Sequence, residues 1–488
     1  MAAAEFSKVV QRARNAFKGG LTRNVDFRIQ QLDNLQRMCV ENEKQLTLAV
    51  QEDLAKPSQE ASLYEVEFLL NDIRCMKQNI REWVKPETAD KNLITILDET
   101  FVQSEPYGVV LVLGAWNYPI QLSLSPMVGA ITAGNCCILK PSELAPKSAE
   151  LIKELVPKYL DPECFHVVLG GPEETTELLK EEFDYIFYTG STRVGQIVRE
   201  AANKHLTPCT LELGGKTPVW LDDSVNMEVA CRRLLWGKFI NAGQTCVAPD
   251  YLLCTKGVQE KVLPAMKKVI KEYYGDNPKD SPDLGRVVNN RHFKRLLSLM
   301  KDGSIAVGGD HDESGNYIAP TIITDVKLNN PIMKEEIFGP LFPIVTVEGV
   351  DEAIDIINSK DKPLTLNIYS KKQKVIKKFL DNTSSGSVCV NDSIVNLSMV
   401  GVPRKYSFDT FSHKKAVLIR NYAMIGEKLG EARYPPYSPS NEKFLKKLLK
   451  KRPNLLPPHM DYVGVFIGGF LVALILKAIL HFAGVKYF

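Results

Sequence analysis

The sequence predicts an α/β protein with parallel strands between covering helices, followed by a C-terminal transmembrane helix. Three observations predict it. Short apolar runs alternate with amphipathic helical stretches from residue 106 onward, and the same alternation resumes from about 209 to 400. The last 27 residues, YVGVFIGGFLVALILKAILHFAGVKYF, are almost wholly apolar. Continuous rather than alternating apolar runs mark strands buried on both faces, as parallel strands are.

Phe6, Val9, Val10, Ala13 and Phe17 share one helical face, so the N-terminus reads as an amphipathic helix and not a signal peptide. Residues 30–54, QQLDNLQRMCVENEKQLTLAVQEDL, continue the helical pattern. Strands are then expected at YGVVLVLG (107–114), CCILKPSE (136–143), CFHVVLGG (164–171), FDYIFYTGS (183–191) and TPVWLDD (217–223), with helices at 146–158 and 173–181. Further strands are expected at YLLCT, GSIAVGG and LFPIVTV, with helices at 257–274 and 351–359. YPPYSPSNE (434–442) reads as a linker. EKFLKKLLKKR (442–452) reads as a basic helix on an anionic membrane surface.

The tail carries no charge from Tyr462 to Leu476. At ~1.5 Å per residue, Lys477 falls about 22 Å into the span, where it can snorkel to the far face. A tail anchor is therefore expected over 462–485, with residues 1–452 in the cytosol. Its hydrophobicity suits the endoplasmic reticulum.

A net charge of +3 gives no electrostatic case for nucleic acid. The 10 cysteines form no CxxC pair and the seven histidines show no ligand spacing, so neither a metal site nor a disulfide frame is expected.

Several short segments can carry chemistry. In NAGQTCVAPD (241–250), Cys246 has polar, glycine-containing flanks that suit a presented nucleophile better than a core sulfur. In LELGGKTP, Glu212 adjoins an apolar strand, where a carboxylate with a raised pKa serves as general base. In VLGAWNYPI, Asn117 lies at a strand's carboxyl edge, where its amide can donate to an oxyanion. CCILKPSE brings Lys140 and Glu143 to a strand end, suited to ribose hydroxyls. IFYTGSTRVGQ is a strand, a Gly190–Gly195 turn and a helix start, with Ser191 able to cap the helix and its N–H groups to favour a phosphate. Each alone has a plain alternative: a turn residue, a solvated pair, a simple connection.

Together AWNYP, LKPSE, YTGSTRVG, LELGGK, GQTC and EEIFGP, in this order, resemble the aldehyde dehydrogenase superfamily over roughly residues 5–430. YGVVLVLGAWNYP and SFDTFSHKKAVLIR resemble its class 3 branch, and the apolar tail resembles the membrane-bound fatty aldehyde dehydrogenases. The resemblance implies a Rossmann-like cofactor domain (1–208, interrupted near 85–106), a catalytic domain (209–400), a bridging segment (401–433), a linker with basic helix (434–461) and the anchor. It implies Cys246 as nucleophile, Asn117 and the Cys246 N–H as oxyanion donors, and Glu212 as base. Lys140, Glu143, Gly190, Ser191, Gly195, Trp116, Glu336 and Phe338 would meet the cofactor, NAD with NADP as alternative. A homodimer paired by sheet extension and a medium- or long-chain fatty aldehyde substrate are also implied.

One departure stands out. After GSVCVNDSIVN (386–396) the glycine-rich stretch of the family is shortened to LSMVGVPRK, and Ser387 stands where glycine is common. This opens an alternative, a catalytically inactive membrane-anchored homologue. A reductase of activated acyl groups, which would not need Glu212, is a second.

Overall fold

The structure is a computed structural model that describes residues 2–398, 402–420, 422, 424–450, 469–472 and 474. The chain forms two compact units, Met1–Lys85 with Ser104–Lys415, and Pro86–Gln103 with Ala416–Phe488.

The first unit holds two sheets. Strands β1 (Val109–Leu113), β2 (Cys136–Lys140), β3 (Phe165–Val167), β4 (Tyr185–Gly190) and β5 (Cys209–Leu213) form an all-parallel sheet in the order 3-2-1-4-5. This is the doubly wound order, with a topological switch between β1 and β4, where ligands bind at the carboxyl ends of the strands. The residues of β1 and Cys136–Leu139 of β2 are each under 5% exposed, which explains why these runs contain no polar alternates. The N-terminal helix Ala2–Lys18 buries Phe6, Val10 and Ala13 in the same core.

Strands β6 (Pro218–Leu221), β7 (Tyr251–Cys254), β8 (Ser304–Val307), β9 (Thr321–Thr324), β10 (Leu341–Thr346), β11 (Thr365–Tyr369) and β12 (Ser387–Val390) form the second sheet, in the order 8-9-10-7-6-11-12. Only β8 runs antiparallel, against β9. Successive residues feed opposite cores: Trp220 and Leu253 join one cluster, Val219, Leu221 and Leu252 the other. The period of two thus survives in space although the sequence is apolar throughout.

The shortened stretch after residue 396 includes residues 399–401, outside the described ones. The chain then forms helix Val402–Thr410 and buries Phe408 and Phe411, each 1% exposed, in the first core. Asn135 Nδ2 donates to the Phe411 carbonyl at 2.8 Å.

Glu87–Thr88 pairs antiparallel with the strand Glu99–Pro106, and Ser412–Ile419 completes a three-stranded sheet. The basic helix spans Pro439–Leu449, so it starts inside the expected linker. Ser438 causes this: its hydroxyl accepts from Asn441 N–H at 3.2 Å and caps the helix ahead of the lysines. No helix of the described residues is long and apolar enough to cross a membrane. Most of the expected anchor, 462–468, 473 and 475–485, lies outside the described residues.

Candidate active site

Helix Met227–Phe239 leads into the loop that carries Cys246. Asn241, Ala242 and Gly243 follow with φ of 51, 53 and 76°. The left-handed region costs a non-glycine residue roughly 1–2 kcal/mol, so such a run persists only where its surroundings impose it. A Cβ on Gly243 would collide with the Gly339 carbonyl, so nothing larger fits.

The surroundings are polar and buried. Asn241 N–H donates to Glu60 Oε2 at 2.9 Å, and its Nδ2 donates to the carbonyls of Asn117 (2.7 Å) and Gln244 (3.1 Å). Gln244 Nε2 donates to the Asn241 and Arg286 carbonyls, and its Oε1 accepts from Val288 N–H. Asn117 Nδ2 donates to the Gln244 carbonyl at 3.0 Å. An amide NH2 has two hydrogens, so this bond orients Asn117 and leaves a second donor. The Tyr118 and Thr245 hydroxyls are 2.8 Å apart.

Beneath Asn117 lies an ion pair. Lys56 Nζ is 2.5 Å from Glu65 Oε1, with both side chains 0% exposed, and it donates to the Asn117 carbonyl at 3.0 Å. Glu65 Oε2 accepts from Ile120 and Gln121 N–H, at the start of helix Gln121–Ala133. Glu65 sits in a π-helical segment, Ser62–Glu67, of the type that re-aims side chains at functional sites.

Cys246 itself is half-buried. Burial pushes its thiol up to about 12, and the negative fields of Glu336 and Glu212 add to the shift. The N–H groups of Cys246 and Val247 face the sulfur and act the other way. Glu212, on β5 opposite Thr189, is raised above the ordinary carboxylate value by desolvation. It makes no hydrogen bond or ion pair among the described residues, and its residue surface stays open. Glu336 is raised to about 8 by burial and by Asp250, while the Gly215 N–H lowers it. A Cβ on Gly214 would overlap Glu336 Oε2, so the glycine admits the carboxylate. Trp116 and Phe338 meet edge to face at 5.4 Å, and Trp116 meets His292 at the same distance. Burial and two arginines lower His292 to about 4, so its imidazole is neutral.

The Gly190 turn lies at the carboxyl end of β4. Ser191 Oγ accepts from Val194 N–H at 3.5 Å, at the start of helix Thr192–Asn203. A Cβ on Gly190 would strike the Tyr188 hydroxyl, and one on Gly195 would fall 2.7 Å from Leu213 Cδ2. Tyr188 OH donates to the Ser191 carbonyl at 3.2 Å; burial raises that phenol, and Glu143 lies close enough to add to the shift. Lys140 Nζ, at the end of β2, is 3.1 Å from Glu143 Oε2. An open helix N-terminus, backbone cleared of Cβ atoms and a paired ammonium and carboxylate at the switch point suit a dinucleotide.

The aldehyde dehydrogenase family profile matches residues 1–403. The chain belongs to the aldehyde dehydrogenase family. It is 49% identical over 458 residues to aldehyde dehydrogenase family 3 member A2 of Mus musculus, covering 91% of this chain and 94% of that one. It is 47% identical over 449 residues to family 3 member B1 of Homo sapiens, covering 89% and 96%. Among solved structures it is similar to substrate-bound AldH of Staphylococcus aureus, at 38% identity and a TM-score of 0.86 over 91% of this chain and 99% of that one. A cysteine-to-alanine variant of aldehyde dehydrogenase C (AldC) from Pseudomonas syringae, solved with NAD+ and octanal, has a TM-score of 0.75 at 25% identity, over 85% and 89%. The protein is thus an NAD(P)-dependent aldehyde dehydrogenase of the class 3 branch.

In this aldehyde dehydrogenase Glu212 and Glu336 lie close enough to Cys246 to raise its thiol, Asn117 is bonded to the Gln244 carbonyl two residues before it, and Trp116 and Phe338 pack together. Lys140, Glu143 and the Gly190–Gly195 turn form a second group along the same sheet edge. Sequence reasoning missed Lys56, Glu60, Glu65, Asn241, Gln244 and Asp250. Asn241, Gln244 and Asp250 stand within the quoted NAGQTCVAPD. Lys56 and Glu65 had no local signal, since nothing in AKPSQEASLYEVE foretells their burial.

Proposed function

We propose that the protein oxidises medium- and long-chain aliphatic aldehydes to carboxylic acids through a thioester on Cys246. Bound NAD supplies the hydride acceptor. Cys246 Sγ bonds to the aldehyde carbon and its proton is lost to solvent, which leaves the unpaired Glu212 carboxylate ionised for the later step. The free Asn117 amide hydrogen and the Cys246 N–H hold the oxyanion. After hydride loss, Glu212 deprotonates the water that cleaves the thioester. The observation that carries this is the joint placement of Cys246 on a loop held in the left-handed region, an oriented Asn117 amide and an unpaired carboxylate whose field reaches the sulfur.

The Glu143 carboxylate beside Lys140 would repel a 2′-phosphate, which favours NAD over NADP. The related AldC solved with octanal supports an aliphatic substrate. The re-entry of Phe408 and Phe411 into the core speaks against the inactive alternative, since the shortened segment leaves the cofactor sheet packed. A homodimer joined through sheet edges, and membrane attachment at the cytosolic face of the endoplasmic reticulum through 462–485 aided by Lys443, Lys446 and Lys447, complete the reading.

The test follows NADH formation by the purified full chain with octanal and hexadecanal. Turnover that disappears in Cys246→Ala supports the reading. Absent turnover alongside intact NADH binding would favour the inactive homologue. Release of the protein from membranes by alkaline carbonate would remove the anchor.

A further inference from the structure

Three of the segments that carry the proposed site residues meet at one buried ammonium. Lys216 ends the LELGGK segment and its side chain is 8% exposed. Its Nζ pairs with Asp250 Oδ2 and donates to the carbonyls of Ile332 and Glu335, each at 2.8 Å. Three donors thus meet three acceptors, which saturates a lysine. Asp250 follows Cys246 by four positions, has a side chain 5% exposed, and accepts from Ile337 N–H with its other oxygen at 3.1 Å. The circuit therefore runs from the Glu212 segment through the Cys246 segment to both sides of Glu336.

Other side chains grip the same loop from its outer side. Lys360 Nζ donates to the Met333 carbonyl at 2.8 Å, and Arg295 donates to the carbonyls of Glu336 and Ile337 at 3.3 and 2.5 Å. Asp302 Oδ2 accepts from Ile332 N–H at 2.6 Å. Of these, only Lys216 also reaches the nucleophile's segment.

We propose that Lys216, through its pair with Asp250, is a positioning residue that sets the Glu336–Phe338 loop against the Cys246 loop, and that it acts on cofactor affinity through Glu336. This rests on the reading above that Glu336 meets the cofactor. A pair serving stability alone would have no need to bond carbonyls on the loop that carries Glu336. A charged pair with fixed partners holds a loop more sharply than apolar packing does.

The test measures NADH binding to the full chain by fluorescence titration, beside KM for NAD, KM for octanal and the melting temperature. Lys216→Met is expected to weaken NADH binding by at least about tenfold, within the range of coupled buried contacts, and to raise KM for NAD while KM for octanal stays put. Adding Asp250→Asn removes the orphaned charge, so it should recover melting temperature and leave NADH binding weak. In a Glu336→Gln background, Lys216→Met should add no further loss. Should Lys216→Met fail to fold, Lys216→Arg keeps the charge on Asp250 but its planar fork cannot reach the same three acceptors, and weakened NADH binding is again expected. Unchanged NADH binding in the folded single variant overturns the proposal. So does recovery of binding together with stability in the double variant, or a full further loss on top of Glu336→Gln. An unmodified protein that binds NADH yet oxidises no aldehyde overturns the proposed function and leaves this positioning role to be judged by binding. One that binds no NADH overturns both.

Discussion

The Gly190–Gly195 turn and the Ile240–Asp250 loop are built in opposite ways. The first is local: a strand ends, two glycines clear the backbone, and Ser191 caps the helix that follows. The second is held from a distance. Its left-handed Asn241 is bonded to Glu60 and Asn117, and the Asn117 carbonyl accepts from Lys56, which pairs with Glu65. A phosphate-binding turn needs only N–H groups left open, which a short motif supplies. A nucleophile needs a fixed position against donors and a base from other strands, which only long-range contacts supply.

This contrast predicts a gradient of effects. The largest is expected for Cys246→Ala, with NADH formation from octanal falling to background while NADH binding persists. Glu212→Gln comes next, with steady turnover lowered by about 10²–10⁴-fold, the range for a lost general base. A pre-steady-state burst of about one NADH per site should survive it, since hydrolysis is the step it stalls. Lys56→Met touches no substrate, yet strands Glu65 in a dry site. A loss of about 3–5 kcal/mol is expected from a broken buried pair, read by urea unfolding. At the other end, Ser191→Ala removes a cap whose bond is 3.5 Å long. About 0.5–1 kcal/mol and a modest rise in KM for NAD are expected, so a loss matching that of Lys56→Met would erase the contrast.

The thiol gives a pH test of the distant loop. With Cys246 raised to about 12, iodoacetamide labelling of cofactor-free protein should be slow at pH 7.5 and climb through pH 10. Glu336, raised to about 8, is ionised only above that pH, so Glu336→Gln should speed labelling above about pH 8 and change it little at pH 7.5. The linked stability has a definite sign. A folded-state value above the ordinary 9.0 means the contribution is full below about 9 and is lost as pH rises through about 12.

Much of the architecture was legible because it follows from local patterns. The apolar runs at 107–114, 136–143, 164–171 and 183–191 became β1 to β4 and that at 217–223 became β6, and the apolar face of residues 6–17 became a buried helix stripe. The edges were less so: Ser438 starts the basic helix ahead of the lysines that advertised it. In the proposed site, Cys246, Asn117 and Glu212 were readable because each stands in a short motif at a strand end or turn, and Glu336 through the family resemblance of EEIFGP. Lys56, Glu65 and Lys216 were not, since burial of a charge depends on what other segments bring to it.

The sequence by itself determined the alternation of strands and helices, the turn at Gly190 and the residue types able to do the chemistry, because backbone propensity and side-chain reactivity are local properties. Only the tertiary structure decided that Asn241 and Ala242 adopt left-handed backbone, that Asn117 has one amide hydrogen engaged and one free among the described residues, and that Lys216 joins the Glu212, Cys246 and Glu336 segments. Those outcomes depend on which donors and acceptors are shut away from water together, and that is a property of the folded whole.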